Sequence, residues 1–162
     1  MVTPLKNWAG NYAYSSVQVD YPQTVEQIQT LVRQYPKLRV LGTRHSFNGI
    51  ADSAENLISL EKYPSAISVN RQQKTVSISA NVTYGQLCPL LHREGFALHN
   101  LASLAHISVA GACATATHGS GDRNPNLAAA VSGLELVTAD GELVSLSREH
   151  DADMFEGAVV GL

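Results

Sequence analysis

Residues 14–42 read YSSVQVDYPQTVEQIQTLVRQYPKLRVLG, and this stretch predicts a strand, a helix and a second strand. The first strand lies within residues 14–22 and ends at a proline. Thr24 and Gln27 have the spacing of a capping box, so the helix begins there and ends before the next proline. The apolar segment at residues 38–42 is the second strand. Because strands joined by a helix pair in parallel through a right-handed crossover, we expect a small parallel sheet.

The chain further on adds strands of both kinds. NLISL, residues 56–60, is a short buried strand, and AISVN with TVSISA, within residues 66–80, is typical of a hairpin. LELVTADGELVSLS, residues 134–147, contains two alternating strands around an Asp-Gly turn. We therefore predict an α+β fold with a small N-terminal sheet and a larger mixed or antiparallel sheet.

A second capping box, Thr83 to Gln86, opens a helix that Gly95 ends. Pro89 falls inside this helix, where a proline costs about 3 kcal/mol. The helix therefore either begins after its capping box or bends at Pro89.

Composition excludes several classes of function. The 162 residues carry a net charge of −3 and no run of Lys or Arg, so nucleic acid is not an expected partner. Cys88 and Cys113 are far apart, which argues against a disulfide scaffold, and no metal site is expected. No apolar run is long enough to span a membrane. We expect a soluble, cytoplasmic protein without a membrane partner.

Two segments are candidates for a binding site. VLGTRHSFNG, residues 40–49, places a histidine in a loop after a strand. ISVAGACATATHGSG, residues 107–121, contains nine Gly, Ala or Ser residues among fifteen, which favours either close approach of a flat ligand or tight helix packing. GSGDRN, residues 119–124, fails the dinucleotide fingerprint, and neither a P-loop nor a G-x-S-x-G elbow is present.

Three motifs in this order resemble one family: LGTRHSFN at 41–48, NLASLAHISVAGACATATHGSG at 100–121 and LELVTADGELV at 134–144. They are similar to the FAD-binding (PCMH-type) domain of the vanillyl-alcohol-oxidase family, and the nearest likeness is to alditol and xylitol oxidases and to aldonolactone oxidases. NWAGN at 7–11 fits the alditol branch. The resemblance implies one FAD-binding domain over residues 1–162, with subdomains of roughly 1–65 and 66–162.

The resemblance also implies which residues meet the cofactor. In these oxidases the histidine of G-x-x-H-S is bonded to the 8α-methyl carbon of FAD, and His45 occupies that position. Imidazole suits this bond because its ordinary pKa near 6.5 leaves it mostly neutral. The cofactor-binding residues expected from the match are Val40, Leu41, Gly42, Thr43, Arg44, His45, Ser46, Ser103, Ser108, Gly111, Thr115, Ala116, Thr117 and His118.

Three roles in this set are open to a simpler interpretation. Ser103 resembles a serine close to the flavin ring and is our catalytic candidate, although a serine there also suits a loop cap. Ser108 can cap a short helix. His118 suits a backbone hydrogen bond as well as a flavin contact. Relatives with a second, cysteinyl flavin bond carry that cysteine within the stretch matching 102–105, where this chain has none, so we expect a single covalent bond.

By resemblance, the full-length enzyme oxidises a terminal alcohol of a polyol to the aldehyde and reduces O₂ to hydrogen peroxide. The chain ends DMFEGAVVGL, residues 153–162, on an apolar run, so we expect the domain to be incomplete at its C-terminus and the substrate domain to be absent. The alternatives are an aldonolactone oxidase, another FAD-dependent oxidoreductase, or a non-catalytic FAD-binding module.

Overall fold

The computed structural model describes residues 4–16 and 18–161, which form two compact units. One unit contains the residues up to Pro64 together with Leu136–Val144, and the other contains Ser65–Glu135 with the residues from Ser145 onward. The turn within Leu136–Val144 joins the first unit because Gln29 and Arg33 bind its backbone: Gln29 Nε2 and Arg33 Nη2 donate to the Gly141 carbonyl at 2.8 and 3.0 Å. The predicted subdomains, roughly 1–65 and 66–162, do not include this later segment in the first unit.

A parallel sheet of three strands lies in the first unit, in the order β1-β3-β2. Thr24 is the N-cap of the helix that follows β1, and its side chain accepts from the Gln27 N–H, as the capping box predicts. Tyr14, Leu41 and Leu57 form the buried centre of this unit, each less than 5% exposed. The bounds are β1 Val19–Asp20, α1 Val25–Gln34, β2 Leu38–Val40 and β3 Asn56–Ile58, with 3₁₀ turns at Gly49–Ala51 and Leu60–Lys62.

Within its described residues, the second unit contains an antiparallel hairpin, three helices and two hydrophobic clusters. Val82, Leu87 and Leu91 pack against the hairpin, and Phe155 lies in the other cluster. The bounds are β4 Ile67–Asn70, β5 Thr75–Ile78, α2 Tyr84–Arg93, α3 Val109–Ala114 and α4 Ala152–Val159, with a 3₁₀ turn at Leu127–Ala130.

The last two strands, β6 Gly133–Val137 and β7 Leu143–Ser147, form a second hairpin around Asp140 and Gly141. The predicted α+β class is confirmed. The antiparallel strands form two separate two-stranded sheets rather than one larger sheet, because each pair closes through its own turn and no described strand pairs with both.

Helix α2 resolves the question about Pro89. The helix begins at Tyr84, directly after the complete capping box of Thr83 and Gln86, so a later start is wrong. Pro89 lies inside the helix and has no N–H to donate to the carbonyl four residues earlier. The helix ends as predicted at Gly95, whose φ of +79° suits a C-terminal glycine.

Replacing Gly141 with alanine should destabilise the fold by about 2 kcal/mol, through backbone strain and a clash. Gly141 has a φ of +82°, and an added Cβ lies 2.5 Å from Arg33 Nε and 2.9 Å from Arg33 Cγ. Gly95→Ala is the matched control, because its φ is similar and nothing lies within 4 Å of its Cβ; we expect about 1 kcal/mol there. Urea unfolding measures the loss of unfolding free energy in both variants. Equal losses would show that the Arg33 side chain moves away from the added methyl group without cost.

Candidate functional site

The predicted histidine loop, residues 42–46, leaves the sheet at the carboxyl end of β2. Leu41 anchors its start: the side chain is 3% exposed, and its N–H donates to the Ile58 carbonyl at 2.7 Å. Val40 is 56% exposed and Gly42 is also exposed, whereas residues 43–46 are half-buried. The polar loop is therefore displayed at the sheet edge while its base is fixed in the core.

The backbone of this loop presents hydrogen-bond donors. Arg44 has a φ of +63°, in the left-handed region, and residues with alternating handedness turn successive N–H groups toward one side. Among residues 4–16 and 18–161, none accepts a hydrogen bond from the N–H groups of Gly42, Arg44 or Ser46. Backbone donors normally find a partner, so these three N–H groups are available to water or to a bound ligand.

A cavity of about 260 Å³ lies beside the loop. Its walls come from the carboxyl ends of all three parallel strands, which is where ligands bind in open α/β sheets. The volume is slightly below the roughly 300 Å³ of small ligand pockets, so it suits one part of a large cofactor. The lining residues are Leu5, Tyr21, Leu41, Gly42, Arg44, Ser59 and Glu61.

A hairpin near the N-terminus contacts His45, and none of its residues is among the predicted cofactor-binding residues. The ring centroids of Trp8 and His45 are 5.1 Å apart with an interplanar angle of 38°. The Trp8 N–H donates to the Arg44 carbonyl at 2.8 Å, and Asn7 Nδ2 donates to the Ser46 carbonyl at 3.0 Å. NWAGN, which contains the only tryptophan of the chain, was the available signal.

Asp52 ties the same hairpin to the turn after the loop. Its carboxylate accepts from the Tyr12 hydroxyl at 2.8 Å, from the Ser15 hydroxyl at 2.7 Å and from the Ser15 N–H at 2.9 Å. Desolvation raises the pKa of Asp52, but the hydrogen bonds from Ser15, Tyr12 and Ser53 outweigh it, so the pKa lies below its ordinary value. The same contact raises the pKa of the Tyr12 hydroxyl, chiefly through its hydrogen bond to Asp52.

Asp52→Asn should lower the free energy of unfolding by about 1 kcal/mol at pH 7, because two charge-assisted bonds are weakened at an exposed site. The folded pKa is depressed, so the wild-type stabilisation is complete above the ordinary Asp pKa of about 3.9 and is lost as the pH falls through the folded value. Urea unfolding at pH 7 and pH 2.5 should therefore show the difference between the two proteins shrinking in acid. An equal difference in the free energy of unfolding at the two pH values would contradict this prediction. Asp153→Asn, at an exposed residue of α4, is the control.

Ser103 lies in an exposed loop of the second unit, and this loop is fixed against the start of α2. The Tyr84 N–H donates to the Ile107 carbonyl at 3.1 Å, and the Gly85 N–H donates to the Ala105 carbonyl at 2.6 Å. A Cβ on Gly85 would lie 3.0 Å from that same carbonyl oxygen. The glycine therefore permits the close approach that holds the Ser103 loop in place.

Ser108 occupies the N-cap position of α3, as predicted, but its side chain makes no capping hydrogen bond. Ser108 is 3% exposed, and a Cβ on Gly111 would lie 2.7 Å from its Oγ. The small residue at 111 therefore makes room for the serine side chain. Ala112 and Cys113 of the same helix are buried in the cluster around Phe155, so tight packing accounts for this face of the small-residue run.

The segment after α3 is stabilised by local hydrogen bonds. Thr115 Oγ1 donates to the Gly111 carbonyl at 3.2 Å and lies 3.1 Å from Thr117 Oγ1. Ala116 adopts a φ of +49°. His118 is exposed, and its Nδ1 lies 3.0 Å from the Gly119 carbonyl oxygen. The His118 side chain therefore has a backbone partner within the fold, and its contact with flavin stays a prediction.

The predicted site residues thus form two groups. Residues 40–46 lie in the first unit, and Ser103 and residues 108–118 lie in the second. In the described parts of the chain, no three His, Cys, Asp or Glu side chains are grouped to hold a metal ion, and no helix has the length and apolar character to cross a bilayer. Burial raises the pKa of the Cys113 thiol, so this cysteine is protonated near neutral pH.

Comparison with known proteins gives concordant matches. The family described as "FAD binding domain" matches residues 17–147. The chain is 42% identical to an alditol oxidase of Streptomyces sp. and 30% identical to the L-gulonolactone oxidase of Mus musculus, and it spans 39% and 37% of their lengths. Cholesterol oxidase from B. sterolicum is similar in fold, with a TM-score of 0.77 at 19% identity over 90% of this chain and 32% of that one.

Proposed function

The chain belongs to the FAD-binding domain family, and we propose that it is the cofactor domain of an oxidase that carries FAD bonded to a ring nitrogen of His45. The fold is that of the PCMH-type flavin oxidases. Residues 40–46 would bind the pyrophosphate side of the cofactor. Ser103, Ser108, Gly111 and Thr115–His118 would line the remainder.

The observation that carries the proposal is the display of His45 beside unused backbone donors. Gly42, Arg44 and Ser46 present N–H groups that no described residue accepts, and a pyrophosphate needs such donors because the chain has only 11 Lys and Arg residues. The cavity of about 260 Å³ at the same edge accommodates part of the cofactor. The residues present therefore fit FAD.

The reaction we propose for the whole enzyme is oxidation of a terminal alcohol of a polyol such as xylitol, with O₂ as the acceptor. Bound FAD supplies the two-electron acceptor. His45 fixes the cofactor, the loop N–H groups hold its negative charge, and Ser103 orients groups near the ring from its exposed loop. The relative at 42% identity, an alditol oxidase, supports this substrate class.

A second candidate is oxidation of an aldonolactone. It is favoured by the L-gulonolactone oxidase of Mus musculus, which is 30% identical over 97% of this chain. The chain spans 39% of that alditol oxidase, and we propose that residues outside this part select between the two substrates. Assays of the whole gene product with a polyol and with a lactone separate them, with hydrogen peroxide as the readout.

A visible spectrum taken before and after acid precipitation tests the cofactor proposal on this chain. We expect an absorbance band near 450 nm, typical of oxidised flavin, that stays with the washed pellet. Flavin released to the supernatant would retain the FAD domain and remove the covalent bond. A colourless protein that takes up no added FAD would contradict the proposal.

A further inference from the structure

A short hairpin, residues 5–14, lies against one side of the histidine loop. A bridge between Lys6 and Ala13 closes the hairpin, and the Tyr14 N–H donates to the Leu5 carbonyl at 2.8 Å. At its tip the Asn7 N–H donates to the Tyr12 carbonyl at 3.0 Å. The hairpin is therefore a defined element, which we call the N-terminal hairpin.

The N-terminal hairpin binds the backbone on both sides of His45. The Trp8 N–H donates to the carbonyl of the preceding residue, Arg44, at 2.8 Å, and Asn7 Nδ2 donates to the carbonyl of the following residue, Ser46, at 3.0 Å. Asn11 Nδ2 reaches the next carbonyl, of Phe47, at 3.3 Å. Three donors from one hairpin thus fix the path of the chain through His45.

Asn7 is the centre of this arrangement. It is 4% exposed, and both of its amide heteroatoms are bonded. Its Oδ1 accepts from the Tyr12 N–H at 3.0 Å, while Nδ2 donates to Asn11 Oδ1 at 2.7 Å as well as to Ser46. The Nδ2 group binds the loop as well as Asn11, and Oδ1 binds the hairpin, so a carboxylate of the same length would keep the acceptor and lose the donor.

The backbone at Arg44 needs such support. Its φ of +63° lies in the left-handed region, which non-glycine residues adopt only where the surroundings enforce it. The Trp8 N–H holds the Arg44 carbonyl, and Arg44 Nη1 donates to the Lys6 carbonyl at 3.3 Å. Both contacts come from the N-terminal hairpin, which therefore maintains the conformation that precedes His45.

The Trp8 side chain contributes little to the core. It is 55% exposed, yet its ring centroid lies 5.1 Å from that of His45. An indole beside an imidazole restricts the rotation of the imidazole ring. The exposed tryptophan therefore fits an orienting role better than a packing role.

We propose that Asn7 and Trp8 are positioning residues for the attachment of FAD at His45: Asn7 fixes the backbone and Trp8 fixes the imidazole. This inference rests on the proposed covalent bond. Attachment breaks one N–H bond of the imidazole and one C–H bond of the 8α-methyl group and forms one N–C bond; the two hydrogens and two electrons pass to O₂, which gives hydrogen peroxide. Because bond formation depends on near-attack geometry, misplacement of about 1 Å can slow it up to about 100-fold.

The test measures the rate of attachment in the 162-residue chain, prepared without flavin and mixed with saturating FAD in air. Samples are acid-quenched at intervals, and flavin fluorescence is read in the washed pellet. Asn7→Asp keeps the acceptor for the Tyr12 N–H but loses the donor to Ser46. Trp8→Leu removes the ring and keeps the backbone bond to Arg44, and Trp8→Phe restores an aromatic ring.

We expect attachment about 10-fold slower or more in Asn7→Asp and Trp8→Leu, and a nearly normal rate in Trp8→Phe. The unfolding midpoint of Trp8→Leu should stay that of the wild type because the indole is exposed. Asn70→Asp is the matched control, since the Asn70 side chain accepts from the N–H groups of Gln72 and Gln73 in a turn of the second unit.

Wild-type attachment rates in Asn7→Asp and Trp8→Leu would overturn the inference, as would slowing that only follows a loss of folded protein. A wild-type chain that binds FAD without a covalent bond overturns the proposed attachment at His45 and the inference together, while the proposed FAD domain stands. That failure is visible in the wild-type sample alone, so the two are distinguishable.

Discussion

His45→Ala is expected to leave no flavin in the acid-precipitated polypeptide, whereas the wild-type pellet stays yellow. The proposed bond joins a ring nitrogen of His45 to the cofactor, and alanine has no nucleophile to replace it. Reversible FAD binding should survive, because the N–H groups of Gly42 and Ser46 belong to the backbone. Mass spectrometry of the denatured variant should give the mass of the polypeptide alone.

His92→Ala is the matched control for this prediction. His92 lies exposed on α2 in the second unit and is not among the cofactor residues proposed here. It should retain covalent flavin at the wild-type level. Flavin that persists in the His45→Ala pellet would place the attachment at another residue and remove His45 from the account.

Phe155→Ala is expected to cost about 3–5 kcal/mol in the free energy of unfolding, the range for a large aromatic side chain removed from a core. Phe155 is fully buried and packs in the cluster that contains Ala112 and Cys113 of α3. The guanidinium carbon of Arg148 also lies 5.0 Å from the ring centroid. Urea unfolding at neutral pH measures the loss.

The neighbouring substitution Met154→Ala provides the control, because Met154 is 68% exposed on the same helix. Its cost should stay within about 0.5 kcal/mol. The cavity left by Phe155 should also loosen α3, so Cys113 should react faster with a thiol reagent in Phe155→Ala than in the wild type. Similar stabilities for the two variants would contradict the packing argument.

Local signals predicted most of the secondary structure correctly. The capping boxes at Thr24 and Thr83 begin α1 and α2, and Gly95 ends α2. These features depend on residues three or four positions apart, which is why the sequence alone indicates them. The membership of Leu136–Val144 in the first unit was not predicted, because it depends on bonds from Gln29 and Arg33, more than 100 positions earlier in the chain.

The candidate site also combines features that the sequence predicts with features that depend on distant contacts. The sequence pointed to His45 through a short motif, and its role as an attachment site stays a prediction. Asn7 and Trp8 were not singled out, because their contacts with the loop span 36 to 39 positions. A sequence motif contains only residues close together along the chain, so it does not indicate which distant segment contacts them in the fold.

What the sequence by itself determined is the order and type of the elements, the α+β class and the small-residue composition of α3, since each follows from local propensity and spacing. The tertiary structure alone decided that the antiparallel strands form two separate hairpins, that Ser108 lies over Gly111 without capping, and that the carbonyls around His45 are held by the N-terminal hairpin. These outcomes depend on which backbone groups meet across long stretches of chain, and burial of apolar residues such as Leu41 and Leu57 brings them together.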